Sequence, residues 1–122
     1  MEDITKIYSN SIGISFHWKN TSEKNTKKIQ VVFKDTGLFL TVVEIRNFSY
    51  LINEAITRTK ACGNCPYNSS CKSILLETPI KQVNLAVNYT ELMNIEELIK
   101  GTIFNIELNS ILIQNTILKN NK

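Results

Sequence analysis

A chain of 122 residues, 43% of them hydrophobic, suffices for one domain with a true apolar core and is too apolar for a disordered segment. The net charge of +3 comes mostly from lysine, with Arg46 and Arg58 the only arginines, which falls short of the dense basic stripe that nucleic acid selects. No apolar run reaches the roughly 18 residues of a membrane span, so membrane and nucleic-acid partners are both set aside.

The first residues, Met1-Glu2-Asp3-Ile4-Thr5-Lys6, are acidic and mixed where a signal peptide would be basic and then apolar. The expected location is cytoplasmic, where thiols stay reduced. The glycosylation sequons at Asn20, Asn47, Asn68 and Asn88 then follow from a composition rich in Asn, Ile and Lys, the bias of an AT-rich, bacterial genome.

In chain order, Ser11–Trp18 alternates as a strand with Ile12, Ile14 and Phe16 on one face. Lys19–Lys27 is polar and aperiodic, a loop whose lysines are solvated. Ile29, Val31 and Phe33, then Lys34-Asp35-Thr36-Gly37, then Leu38, Leu40 and Val42 describe a β-hairpin. Thr41 and Glu44 have capping-box spacing, and Ile45, Phe48, Leu51, Ile52 and Ala55 line the helix they would start. Arg58 and Lys60 place positive charge at its end.

After a connector over residues 61–71, Ile74–Leu76 reads as a short strand ended by Pro79, and Val83, Leu85 and Val87 as its partner. Asn88 and Glu91 repeat the cap spacing, Leu92, Ile95, Leu98 and Ile99 line a second helix, and Lys100-Gly101 is the expected stop. Phe104, Ile106 and Leu108 then alternate as a strand, with Ile111–Ile113 as a return. Leu108, Ile111, Leu112 and Asn115 also fit a helix face, and β-branched content favours the strand. Lys119–Lys122 should fray.

The two halves correspond. Glu44, Ile45, Phe48, Leu51 and Ile52 match Glu91, Leu92, Ile95, Leu98 and Ile99 at an offset of 47; Leu38, Leu40 and Val42 match Val83, Leu85 and Val87 at 45. The expected fold is α+β: one domain over residues 1–122, an antiparallel sheet with two helices, built as two pseudo-symmetric strand–strand–helix units. The first unit covers 11–60 with an extra N-terminal strand. The second covers 72–118 with a C-terminal strand or hairpin, and the cysteine connector at 61–71 joins them.

That connector carries the most distinctive chemistry. Cys62 and Cys65 form a C-x2-C pair able to reach one metal ion, and Cys71 adds a third thiolate after a short loop. Gly63 and Pro66 supply the turning. His17, the chain's one histidine, would complete a tetrahedral shell, with zinc ahead of an iron–sulfur cluster. Against this, three cysteines fall one short of an all-thiolate shell. Cys62 and Cys65 also fit a redox dithiol, although they follow a helix and gain no stabilisation from a helix N-terminus. Cys71 equally fits a small buried hydrophobe.

Elsewhere the motifs are weaker. Asp35-Thr36-Gly37 resembles an aspartic-protease loop, yet Lys34 precedes it, Leu38 follows, and a hairpin turn accounts for the same residues. His17 has no neighbouring nucleophile, and the chain lacks Gly-rich phosphate loops, H-E-x-x-H and G-x-S-x-G.

Ile29-Gln30-Val31-Val32-Phe33, Gly37-Leu38, the following helix and Lys72–Pro79 together resemble a small bacterial family with one domain of unknown function. That resemblance covers most of the chain and implies no activity. The functional expectation is a non-enzymatic adaptor or regulatory module with a structural, metal-pinned cysteine loop and an unidentified protein partner. That partner would meet a strand edge or the sheet face opposite the helices; exposed edges are also compatible with a homodimer. The competing expectation is a small thiol-redox or iron–sulfur protein using the same cysteines.

Overall fold

The computed structural model describes residues 4–19, 28–61 and 74–120. Four strands, β1 (Ile4–Ser9), β2 (Gly13–Trp18), β3 (Ile29–Phe33) and β4 (Thr36–Leu40), form an antiparallel meander in the order β1-β2-β3-β4. Helix α1 (Val42–Ala61) follows, then a separate two-stranded sheet of β5 (Ile74–Glu77) and β6 (Asn84–Val87), then the long helix α2 (Tyr89–Asn120). The α+β expectation holds.

Both helices begin as their sequences dictate. In α1 the Thr41 amide donates to Glu44 Oε1 at 2.8 Å and the Glu44 amide donates to Thr41 Oγ1 at 3.1 Å. In α2 the Asn88 amide donates to Glu91 Oε1 at 3.0 Å and the Glu91 amide to Asn88 Oδ1 at 2.7 Å. Each box satisfies two amides that the first helical turn leaves without a carbonyl.

These caps fix the correspondence between halves. Leu40 and Val87 each directly precede a cap residue and each is buried, so the outgoing strands align at 47, the same offset as the helices. The offset of 45 belongs to the incoming strands, where Ile29 pairs with Leu40 as Ile74 pairs with Val87. Val42 is the first residue of α1 and not a strand position. The difference of two comes from a β5–β6 turn four residues longer, offset by strands β5 and β6 that are each one residue shorter than β3 and β4.

Three elements depart from expectation. Strand β1 was not read because its alternation breaks: Lys6 pairs with Phe16 but Tyr8 with Ser15, leaving Ile7 as an extra residue at a bulge. The β3–β4 turn is Lys34-Asp35 alone, with Lys34 in the left-handed region at φ 55°, while Gly37 lies inside β4. And α2 does not stop at Gly101. A Cβ there would come within 2.4 Å of the Tyr8 ring, so this glycine serves close approach of α2 to β1. No strand forms at Phe104–Leu108, and residues 109–118 are helix.

The reason for the misread strand is visible in α2 itself. Ile103 and Ile106 pack partly against the core, whereas Phe104 and Leu108 point to solvent. Two apolar stripes on opposite sides of one helix interleave along the sequence and mimic a period of two.

The core lies between the sheets and helices: Ile29, Val31, Phe33, Leu38 and Leu40 from the large sheet, Ile45, Phe48 and Ile52 from α1, Leu76 and Val87 from the small sheet, and Leu92, Ile95, Leu98 and Ile99 from α2. The helices exchange partners. α1 packs mainly on β5 and α2, and α2 packs on β1 and β2. Buried Ser15 and Thr102 join sheet to helix with hydroxyl oxygens 2.6 Å apart. At the same seam Asn10 Nδ2 donates to Asn94 O at 2.9 Å and Glu97 Oε1 at 2.6 Å, Asn105 Nδ2 donates to Ile7 O at 2.7 Å, and the Tyr8 hydroxyl donates to Glu97.

Candidate interaction surface and the cysteine connector

Ladder register assigns each strand residue a face. Tyr8, Ser15, Val31 and Leu38 lie across from one another and face α2. The neighbouring rows face away: Ser9, Ile14, Val32 and Gly37 in one, Lys6, Phe16, Gln30 and Phe39 in the next, and Ile4 with Trp18 at the end. An antiparallel sheet covered on one side ordinarily carries polar residues outward. Here the outward rows hold three aromatics and three aliphatic residues.

The aromatics are organised. Trp18 packs edge-to-face on Phe16 with centroids 5.0 Å apart at 80°, which buries Phe16 although it points away from the core. The Trp18 indole N–H donates to Gln30 Oε1 at 3.1 Å, holding the ring over the sheet. The Lys28 ammonium sits 5.3 Å from the Phe39 centroid. Trp18 remains 42% and Phe39 37% exposed. Among the described residues Lys6 lies in one of these rows and the Lys28 ammonium sits over Phe39, so this apolar surface carries positive charge at its margin.

The sequence places Trp18 only as the end of a strand and does not mark Phe39 as a surface residue. Its signal was the outward row of a strand whose other row, Leu38 and Leu40, is buried.

Of the sequence-derived metal ligands, His17 alone lies among the described residues. Cys62, Cys65 and Cys71 lie outside the described residues. His17 is half-buried, on the α2-facing side of β2 across from Thr5, and its Nδ1 is 3.1 Å from the Lys28 carbonyl oxygen. That end of the sheet is where the chain leaves Leu40 to begin α1. The helix then carries the chain about 30 Å along its axis before the connector begins. Strand β5 lies against α1, with Glu77 beside Tyr50, Glu54 and Arg58. Among the described residues no group of three His, Cys, Asp or Glu side chains is arranged to hold a metal.

Asp35, the residue of the protease-like motif, is exposed at the hairpin turn. It borders a shallow cleft of about 240 Å³ between that turn and β6, also lined by Lys34, Thr36, Asn84 and Ile95. A second cleft, of about 220 Å³, lies beside Tyr50 and Glu77. Both are smaller than the roughly 300–1,000 Å³ that small-molecule sites occupy. The Tyr8 phenol is held above its ordinary value of 10.0, first by the hydrogen bond it donates to Glu97, then by loss of solvent and by the Glu97 charge. That perturbation belongs to the seam between β1 and α2, not to a cleft.

Among the described residues no helix is long and apolar enough to cross a membrane. The chain matches no protein-family model, no curated protein and no solved structure.

Proposed function

We propose that this protein is a non-enzymatic adaptor or regulatory module that binds a partner protein on the outer face of its four-stranded sheet. The supporting observation is the exposed pair Trp18 and Phe39, set among Ile14 and Val32 on the face opposite the helices. Contiguous exposed apolar surface with a polar border is what protein-interaction sites present. Lys6 and Lys28 at its margin favour a partner segment that is apolar at its centre and acidic at its rim.

In the same reading, Cys62, Cys65 and Cys71, with His17 as the fourth ligand, form a structural metal loop, with zinc preferred, that pins the connector between the two strand–strand–helix units. A full ligand set leaves no coordination position for a substrate, which is why the metal is assigned a structural role.

Two measurements test the parts separately. Elemental analysis of freshly reduced protein should give about one zinc per chain, lost in Cys62→Ser and weakened in His17→Ala. A metal-free protein whose Cys62 and Cys65 alkylate readily and cycle with oxidant would support the redox reading instead. For the surface, affinity capture with the wild type and with Trp18→Glu/Phe39→Glu should differ by loss of a defined partner. Identical capture by both would remove the sheet face as the binding site.

A further inference from the structure

The large sheet ends in two edge strands, β1 and β4, and the fold protects only one of them. Strand β1 carries Lys6, bends at the Ile7 bulge, and has its Ile7 carbonyl oxygen taken by Asn105 Nδ2 at 2.7 Å. Strand β4, Thr36–Leu40, has no charge, no proline and no bulge. The two-residue turn before it closes on a hydrogen-bonded pair, Phe33 with Thr36, and the ladder to β3 alternates from there. Thr36, Leu38 and Leu40 therefore bond inward to β3, and the N–H and C=O groups of Gly37 and Phe39 point out from the sheet edge. Among the described residues neither Gly37 nor Phe39 makes a further hydrogen bond. Thr36 borders the cleft toward β6, while Gly37 and Phe39 lie beyond its lining.

Gly37 supplies a second observation. A glycine inside a strand weakens it, and marks a place where another group comes close. Gly13 and Gly101 have that reason within the chain: an added Cβ would come within 2.1 Å of the Val32 oxygen and 2.4 Å of the Tyr8 ring. At Gly37 it would meet nothing nearer than the end of the Gln30 side chain, 3.3 Å away, and the backbone there is not left-handed. The chain's own packing leaves this glycine unexplained.

We infer that β4 pairs antiparallel with β4 of a second copy of this chain, joining the two large sheets into one. The outward groups set the register. With a two-fold axis at Leu38, Gly37 lies across from the second copy's Phe39, and each such pair exchanges both of its N–H···O bonds. On the outer face each Phe39 ring then covers a Gly37 backbone, the contact by which an aromatic compensates a strand glycine. Moving the axis to Gly37 sets Phe39 across from Asp35, and moving it to Phe39 sets Gly37 across from Thr41; both lose that contact. This self-match selects a second copy over an unrelated strand, because one short edge supplies both the ring and the space for it. With no charge on β4, two identical edges also meet without like-charge repulsion.

Two five-residue strands meet along about 17 Å, which keeps the pair in the class below roughly 1,200 Å² that marks weak, reversible association. The inference does not rest on the sheet-face reading. Pairing sets the two outer faces side by side, and Trp18 on β2 lies away from the joint.

Sedimentation equilibrium of the full chain and amide hydrogen exchange test it together. As concentration rises the wild type should pass from monomer to dimer, and the Gly37 and Phe39 amides should gain at least about tenfold protection. Gly37→Pro should weaken association at least about tenfold, because the N–H it removes is one the monomer leaves unbonded and an edge strand tolerates proline there. Phe39→Lys should weaken it as much through a charge on the edge, and decides the matter if proline disturbs β4. Trp18→Glu should leave association unchanged, although under the sheet-face reading it weakens partner capture. A wild type that stays monomeric to about 1 mM overturns the inference. So does a dimer that persists undiminished in Phe39→Lys, and so does one whose Gly37 and Phe39 amides exchange as fast as in the monomer.

Discussion

The buried hydroxyl pair between β2 and α2 makes an asymmetric prediction. Ser15 and Thr102 have no exposed surface; their oxygens are 2.6 Å apart, and Thr102 Oγ1 is also 2.7 Å from the Leu98 carbonyl oxygen one turn earlier. Each hydroxyl has one proton, and a carbonyl only accepts. The arrangement that satisfies all three groups sends the Thr102 proton to Leu98 and the Ser15 proton to Thr102. Thr102→Val keeps the shape but strands the Ser15 donor, whose remaining acceptor, the Tyr8 carbonyl at 3.4 Å, is long. A buried donor without an acceptor costs about 1–3 kcal/mol, and the weak Tyr8 alternative puts this case at about 1–2. Ser15→Ala removes one hydrogen bond yet leaves Thr102 bonded to Leu98, at a cost of about 1 kcal/mol. With both replaced, no polar group remains to be stranded, so Ser15→Ala/Thr102→Val should be more stable than Thr102→Val alone. Urea unfolding followed by circular dichroism gives all four corners of the cycle. A double variant whose loss equals the sum of the two single losses would refute the proton assignment and the reasoning built on it.

Other substitutions probe the same seam and the helix starts. Gly101→Ala should gain about 1 kcal/mol of helix propensity in an open helix but destabilise this one, because its Cβ meets the Tyr8 ring; in a Tyr8→Ala background the same change should become stabilising, and equal signs in both backgrounds would contradict the close approach. Thr41→Ala and Asn88→Ala should each lower the unfolding free energy by about 1 kcal/mol through loss of a capping box, read from the urea midpoint at unchanged slope. Because the Tyr8 phenol is raised in the folded state, its contribution is present below its unfolded value near 10 and is lost as pH climbs through the folded value. Stability of the wild type should accordingly fall relative to Tyr8→Phe above about pH 10, and parallel curves for the two proteins would count against the Glu97 hydrogen bond.

What could be read from sequence was whatever a single element decides by itself. The β3–β4 hairpin, α1 and the start of α2 followed from alternating or helical spacing plus caps, because Thr41–Glu44 and Asn88–Glu91 act within four residues. What escaped depended on partners distant in the chain. Gly101 looks like a helix stop until Tyr8, far away in sequence, is placed against it. Strand β1 needed β2 to absorb its bulge at Ile7. The outward character of Phe39 and Trp18 required knowing which face of the sheet the helices cover. The cysteine segment, the strongest sequence signal, falls outside the described residues and stands on its spacing alone.

The exchange of helices between hairpins explains why both exposed surfaces are left over. α1 spends its apolar face on β5 and α2, and α2 spends the face of Leu92, Ile95, Leu98 and Ile99 on the core between them. Each helix is thus already covered by an element of the other half, and the two strand–strand–helix units close around one core rather than stacking as independent repeats. Such closure consumes the inner faces only. Among the described residues the outward rows of the large sheet carry no second layer, and Phe104, Leu108 and Ile111 lie exposed on the outward side of α2. Exposed apolar side chains in those positions carry a cost in solubility.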